Sequence, residues 1–233
     1  VRQSEKIAII YFSRSAEQEA RHKSWSAQST IKQRLSISKF LGNQTLRTLK
    51  NSSFDLITFD EHKQVGDTFG EKLGNAFQET FALGYDAAIT VGNDCIQLSK
   101  VDFEDVKLAV LNRKAVLGPT YRNGAYLIGL HKSQFNQSKF EELRWQSSEL
   151  EDDLCHYFLS EGANVVVLEK LRDINNLRDF REIMSDVNLG LEVRRRIRAF
   201  VAQKIDLELS LCHIWQTTLS KGDLVLRGPP VAC

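Results

Sequence analysis

Apolar residues fall along this chain in two rhythms. KIAIIYF (6–12) and AAITV (87–91) run without alternation through residues able to fill a buried strand, several of them β-branched, which predicts strands covered on both faces. FDLITFD (54–60) alternates and predicts another strand. KAVLGPT (114–120), GAYLIGLH (124–131) and NVVVLEKL (164–171) supply further ones, the first two joined through Asn123-Gly124, a strong turn signal. The helical rhythm appears in FGEKLGNAFQETFALG (69–84), where Phe69, Leu73, Ala76, Phe77 and Phe81 share a face, and again over about 101–112, 147–161 and 176–184. Strands alternating with helices predict a mostly parallel, mixed sheet in a three-layer α/β/α sandwich.

In such sheets, ligands bind beyond the carboxyl ends of the strands, near the point where strand order reverses. The buried run 87–91 leads directly into Gly92, Asn93, Asp94 and Cys95, so Asn93 and Asp94 are expected at that edge. The alternative is that Asp94 caps the next helix or shapes the turn. Gly66, Gly70 and Gly74 recur every four residues, which permits close backbone packing or a glycine-lined approach to a ligand.

After about Met184 the pattern changes. LEVRRRIRAFVAQKI (191–205) reads as an amphipathic helix with Val193, Ile197, Phe200, Val201 and Ile205 on one side. Arg194, Arg195, Arg196 and Arg198 beside that stripe form a solvated face or a contact for phosphate or an acidic partner. The tail at 212–233 mixes short apolar runs with turn residues, as a small appendage docked on its own domain or on a second subunit would. The expected organisation is a domain over 1–185 and a C-terminal appendage over 186–233, with a homo-oligomer through that appendage as a candidate assembly.

Composition narrows the function classes. The 233 residues carry 31 Lys and Arg against 30 Asp and Glu, so no overall field draws the chain to nucleic acid or a membrane surface. No apolar run is long enough to span a membrane, and a cytoplasmic protein is expected. The four cysteines show no zinc-like spacing, and the five histidines are scattered. Cys95, next to Asp94, lacks an evident base and reads as a small hydrophobe. The glycine fingerprint of dinucleotide folds, the P-loop and the zincin motif are all absent.

TVGNDCIQL, AVLGPTYRNGAYLIGL, RWQSS and LEKLRDINNLRDF, together with FGEKLGNAF, resemble in content and order the glycosyltransferase-A-like nucleotide-diphospho-sugar transferases, in particular the selenodomain-associated transferase-like branch. The likeness covers roughly 6–184. It implies a pocket for a nucleoside diphosphate or triphosphate, or a nucleotide sugar, with glycosyl or nucleotidyl transfer as the reaction class. It further implies that Asp94, matching the acidic position after the central strand, acts catalytically and holds Mg or Mn, with Asp173 as the second metal ligand.

The departures bear on that chemistry. Arg122 stands where the family has a carboxylate, and Asn175 replaces the second of two acids near the domain's end, so a divalent ion should bind more weakly and Arg122 could itself neutralise a phosphate. The first loop, SRSAEQEARHK, lacks the family's proline and glycine but offers Arg14, Arg21 and Lys23. Arg14 is the expected diphosphate contact. Trp145 either stacks on a base or sugar or belongs to the core. The expected pocket thus comprises Arg14, Lys23, Asn93, Asp94, Gly118, Arg122, Asn123, Gly124, Trp145 and Asp173. The alternative function is a catalytically degenerate nucleotide-binding or protein-interaction module. Base, sugar and acceptor are not written in these motifs.

Overall fold

The computed structural model describes residues 5–26, 29–186 and 189–202. The apolar runs become strands: β1 (Ile7–Phe12), β2 (Asp55–Phe59), β3 (Ala87–Val91), β4 (Lys114–Pro119), β5 (Ala125–His131) and β6 (Asn164–Val167). β1 and β3 are buried almost throughout, as their lack of alternation requires. The strands form one sheet in the order β2-β1-β3-β5-β4-β6. β1 pairs in parallel with β2 and β3, and β4 in parallel with β6, while β5 runs antiparallel to both β3 and β4.

The helices are α1 (Ala16–His22), α2 (Ile31–Lys50), α3 (Phe69–Ala82), α4 (Phe103–Leu111), α5 (Gln137–Glu141), α6 (Leu150–Ser160) and α7 (Leu177–Ile183). On one face of the sheet, Ile9, Ile89 and Val116 pack with Leu49 of α2 and with Phe103, Val106 and Val110 of α4. On the other, Ile10, Ala88, Leu117 and Ile128 meet Phe77 of α3, Phe140 of α5 and Phe158 of α6. This is the three-layer α/β arrangement expected from the sequence.

The pattern reading assigns no element to α5 and extends β6 to Leu171, and two longer segments differ from it as well. Most of 13–23, read as a loop, is α1: Ser15 caps it by accepting from the Gln18 N–H at 3.3 Å. Its buried residues are Glu19 and Ala20, so no apolar stripe announces it. Residues 31–50, to which the pattern assigns no element, form α2. Its start is a capping box in which Thr30 and Gln33 satisfy each other's backbone N–H groups.

The glycine stripe serves packing. A Cβ on Gly70 would overlap the Glu141 carbonyl and the Trp145 ring, and one on Gly74 would lie 2.8 Å from Glu141 Oε1, so these positions let α5 lie close to α3.

The chain divides into two compact units between Asp179 and Phe180. In the second, residues 191–202 are helical and Ile197 is buried, as the amphipathic pattern predicts. Arg194 spends its guanidinium on the carbonyls of Leu189 and Asp186, at 3.0 and 2.6 Å. Ile205, Cys212, His213, Cys233 and the tail reading lie outside the described residues. Among the described residues no helix is long and apolar enough to cross a membrane.

Candidate functional site

The strand order fixes where a ligand crevice belongs. β2 and β3 lie on opposite sides of β1, so successive connections diverge between β1 and β3. The segments leaving the carboxyl ends of these two strands therefore face each other, and they carry the charged residues singled out from the sequence.

After β1 the chain is fastened down locally. The Ser13 N–H donates to the Phe59 carbonyl at 3.1 Å, and Ser15 donates through both its N–H and its hydroxyl to the Glu61 carboxylate, each at 2.6 Å. α1 then presents Glu19 and, one turn on, Lys23. Lys23 Nζ lies 2.6 Å from Asp94 Oδ1 and 3.7 Å from Glu19 Oε2, and Arg14 lies 3.8 Å from Glu19 Oε1. The four side chains form one charge chain, Arg14–Glu19–Lys23–Asp94, and two positive charges balance two negative ones. Asp94 does not cap the helical turn after it: the cap position there is Cys95, without a side-chain hydrogen bond. Asp94 instead pairs with Lys23, a contact that neither alternative from the sequence named.

Burial raises the Glu19 carboxyl above its ordinary value, with the Asp94 charge adding to the rise and Lys23 and Arg14 opposing it. Tyr11, buried at the end of β1, is raised for the same first reason, its hydroxyl being near the charges of Asp94 and Glu19. Burial pushes the Cys95 thiol up to about 12, so it holds its proton and packs as a small hydrophobe.

The second cluster comes from the β4–β5 hairpin and the strand-like segment after β6. Gly118 is buried in β4 beneath the Tyr126 ring. The turn is tied by Thr120 N–H to the Gly124 carbonyl at 2.8 Å, with Asn123 in the left-handed region at φ 60°. Arg122 projects from this turn onto Asp179, with Asp173 at 3.9 Å. Asp179 also accepts from the backbone N–H groups of Asn175 and Asn176, at 2.7 and 3.0 Å. The Asn175 amide donates to Asp173 Oδ2. The two clusters are joined through the backbone, since the Ile174 N–H donates to the Asp94 carbonyl at 2.8 Å.

Among the expected site residues, the structure thus brings together Arg14, Lys23 and Asp94, with half-buried Asn93 in the same turn, and separately Arg122 and Asp173. Trp145 lies in the packing layer of α3 and α5, its ring 5.4 Å from Phe69 and 4.9 Å from Phe140, and its indole N–H donates to the Phe140 carbonyl at 2.9 Å. Glu19 and Asp179 were missed. Glu19 stands four residues before Lys23, an ion-pair spacing that becomes legible only once α1 is recognised as a helix.

Comparison with known proteins agrees with this architecture. A family model described as "Uncharacterized protein conserved in bacteria (DUF2064)" matches residues 23–147. The chain belongs to the DUF2064 family. No curated protein matches it in sequence. Among solved structures, a protein from Desulfovibrio desulfuricans G20 with the provisional name nucleotide-diphospho-sugar transferase superimposes with a TM-score of 0.69 at 17% identity, covering 85% of this chain and 98% of that one. A glycosyltransferase involved in glycosylation of the major capsid of PBCV-1 gives a TM-score of 0.42 at 10% identity, over 70% and 82% of the two chains. The first of these superpositions shows that this DUF2064 chain shares its α/β fold with the Desulfovibrio protein.

The divalent ion that the resemblance implies would draw on Asp94 and Asp173, each of which has a cationic side chain beside it. Mg or Mn requires several hard oxygen donors at short range. Here Asp94 Oδ1 pairs with the Lys23 ammonium, and Asp173 Oδ2 accepts from Asn175 and lies 3.9 Å from Arg122, while Asp173 Oδ1 is buried without a hydrogen-bond partner. Among the described residues no group of three or more His, Cys, Asp or Glu side chains is placed to hold a metal ion.

Proposed function

We propose that this DUF2064 chain binds a nucleoside diphosphate or nucleotide sugar at the carboxyl edge of its sheet, between β1 and β3, and belongs functionally with glycosyl or nucleotidyl transferases. The observation that carries the reading is the Lys23–Asp94 pair, which sets an ammonium at the point where the strand connections diverge. Arg14 and Arg122 supply further positive charge that a diphosphate can engage, and charge neutralisation of a leaving diphosphate together with positioning is most of what such a transfer asks of a protein. No step of the reading passes through magnesium or manganese. A cytoplasmic setting and assembly through the C-terminal unit belong to the same proposal.

A second reading has its own support. Arg122 is committed to Asp179 and Asp173, at a position where the family resemblance calls for an acid, and that favours a nucleotide-binding module without turnover.

Thermal-shift and calorimetric titrations with UDP, GDP, CDP, ADP and their sugar conjugates test the shared premise. A ligand at 100 times its dissociation constant stabilises the native state by about 2.7 kcal/mol, which is several degrees for a chain of this size. At least one nucleotide should reach that shift, and Lys23→Met, which removes the ammonium, should reduce it. No shift from any nucleotide, with or without added manganese, would defeat both readings. Release of nucleoside diphosphate from a bound nucleotide sugar would then select the transferase.

A further inference from the structure

A lysine ammonium at this edge sits in a place built for a cation. Lys23 Nζ is 2.6 Å from Asp94 Oδ1, 3.7 Å from Glu19 Oε2 and 5.6 Å from the centre of the Trp25 ring. Glu19 Oε2 is fully buried and makes no hydrogen bond, which leaves the lysine as the cation nearest that oxygen. A side chain nine-tenths buried, with one carboxylate oxygen otherwise unanswered, is costly unless a positive charge stands beside it.

From this we infer that the Lys23 ammonium, held between Asp94 and Glu19, takes the place of a resident divalent cation at this site, so that the chain binds the diphosphate of its nucleotide without metal. The inference rests on the nucleotide reading of the same edge and adds Glu19 to it as the residue that positions the lysine. A magnesium or manganese ion needs its oxygens at roughly 2.0–2.2 Å, and the ammonium in hydrogen-bond contact with Asp94 Oδ1 competes with it for that carboxylate. The local balance points the same way. Arg14 and Lys23 balance Glu19 and Asp94 within this charge chain, so Asp94 meets a divalent ion only in competition with the lysine. An ammonium has three N–H donors, and contact with Asp94 uses one, which leaves the group able to meet phosphate oxygens.

The test uses manganese alone and, separately, the nucleoside diphosphates named above. Manganese binding, read by electron paramagnetic resonance on the full chain, is compared among the unaltered protein, Lys23→Met and Lys23→Arg. Lys23→Met should bind manganese at least about tenfold more tightly than the unaltered protein, the scale on which neighbours of a metal ligand tune its affinity, and adding Asp94→Asn should abolish the gain. Lys23→Arg, which keeps the charge, should stay at the unaltered level. Equal manganese affinity in Lys23→Met and the unaltered protein would overturn the inference whether or not any nucleotide binds. If Lys23→Met does not fold, the unaltered chain still decides: micromolar manganese binding by it, or nucleotide binding abolished by EDTA, overturns the inference. Nucleotide affinity unchanged within about twofold by EDTA supports it.

Discussion

At Gly118 the only side chain the backbone tolerates is a hydrogen atom. A Cβ there would lie 2.5 Å from a ring carbon of Tyr126, whose hydroxyl is fixed by donating to the Glu169 carbonyl at 3.1 Å and cannot swing aside freely. Gly118→Ala should therefore cost about 1–3 kcal/mol, the usual range for overpacking a filled core, measured as a lower urea midpoint with unchanged slope. His131 makes a different demand. It is buried at the end of β5, contacts Arg113, and faces Glu5, Asp86, Lys132 and Ser133. Burial first, and then the Arg113 guanidinium, hold its pKa below the ordinary 6.5. The unfolded chain then takes up a proton at a pH where the folded chain resists it, so stability is complete above 6.5 and is lost as pH falls from there toward the folded value. Asp86, depressed chiefly by its hydrogen bond from Lys132, acts only below its ordinary 3.8, which keeps the two windows apart. Urea midpoints between about pH 7.5 and about pH 5 should fall in the unaltered chain and fall less in His131→Asn. Equal slopes in the two proteins would show that His131 does not carry the loss.

The strands were legible because their physics is local. A run such as Ala87–Val91, without charge or alternation, suits a sheet covered on both faces, and it is there. α3 announced itself by a single apolar face, and its start is sealed by Thr68 and Glu71, each accepting from the other's backbone N–H. α1 was hidden for the opposite reason: its buried residues are Ala20 and Glu19, the latter standing beside Lys23 and Arg14, so hydrophobic rhythm says nothing about it. α2 left a readable trace that a search for apolar runs passes over. Thr30 and Gln33 stand at capping-box spacing, and Ile37, Phe40 and Leu41 follow as its buried stripe. The site was legible in the same partial way. Asp94 could be placed at the sheet edge because a strand has a known direction, but its partner Lys23 could not be assigned, since that pairing depends on how α1 folds back toward β3.

Contacts between distant parts of the chain were the least readable and give the molecule its closure. Arg122, in the β4–β5 turn, reaches a carboxylate 57 residues further on, and Asp179 in turn accepts from the backbone N–H groups that begin α7. One oxygen pair thus ties the hairpin to Asp179 and orders the segment that carries Asp173 and Ile174 to Asp94. Asp179 is buried, whereas Arg122 is 44% exposed, so solvent screens the attraction and its net worth should be modest, about 1–2 kcal/mol. Arg122→Ala should lower stability by that amount, and Asp179→Asn should cost more, because it also weakens the bonds to Asn175 and Asn176. If the guanidinium serves as the tether, the double variant will be less destabilised than the sum of the singles by about 1 kcal/mol, as for residues that share one interaction. Strict additivity would mean that Arg122 contributes nothing through Asp179, leaving its charge free to act on a phosphate; loss of nucleotide affinity in Arg122→Ala but not in Asp179→Asn would then identify it as a ligand contact and not a structural tie.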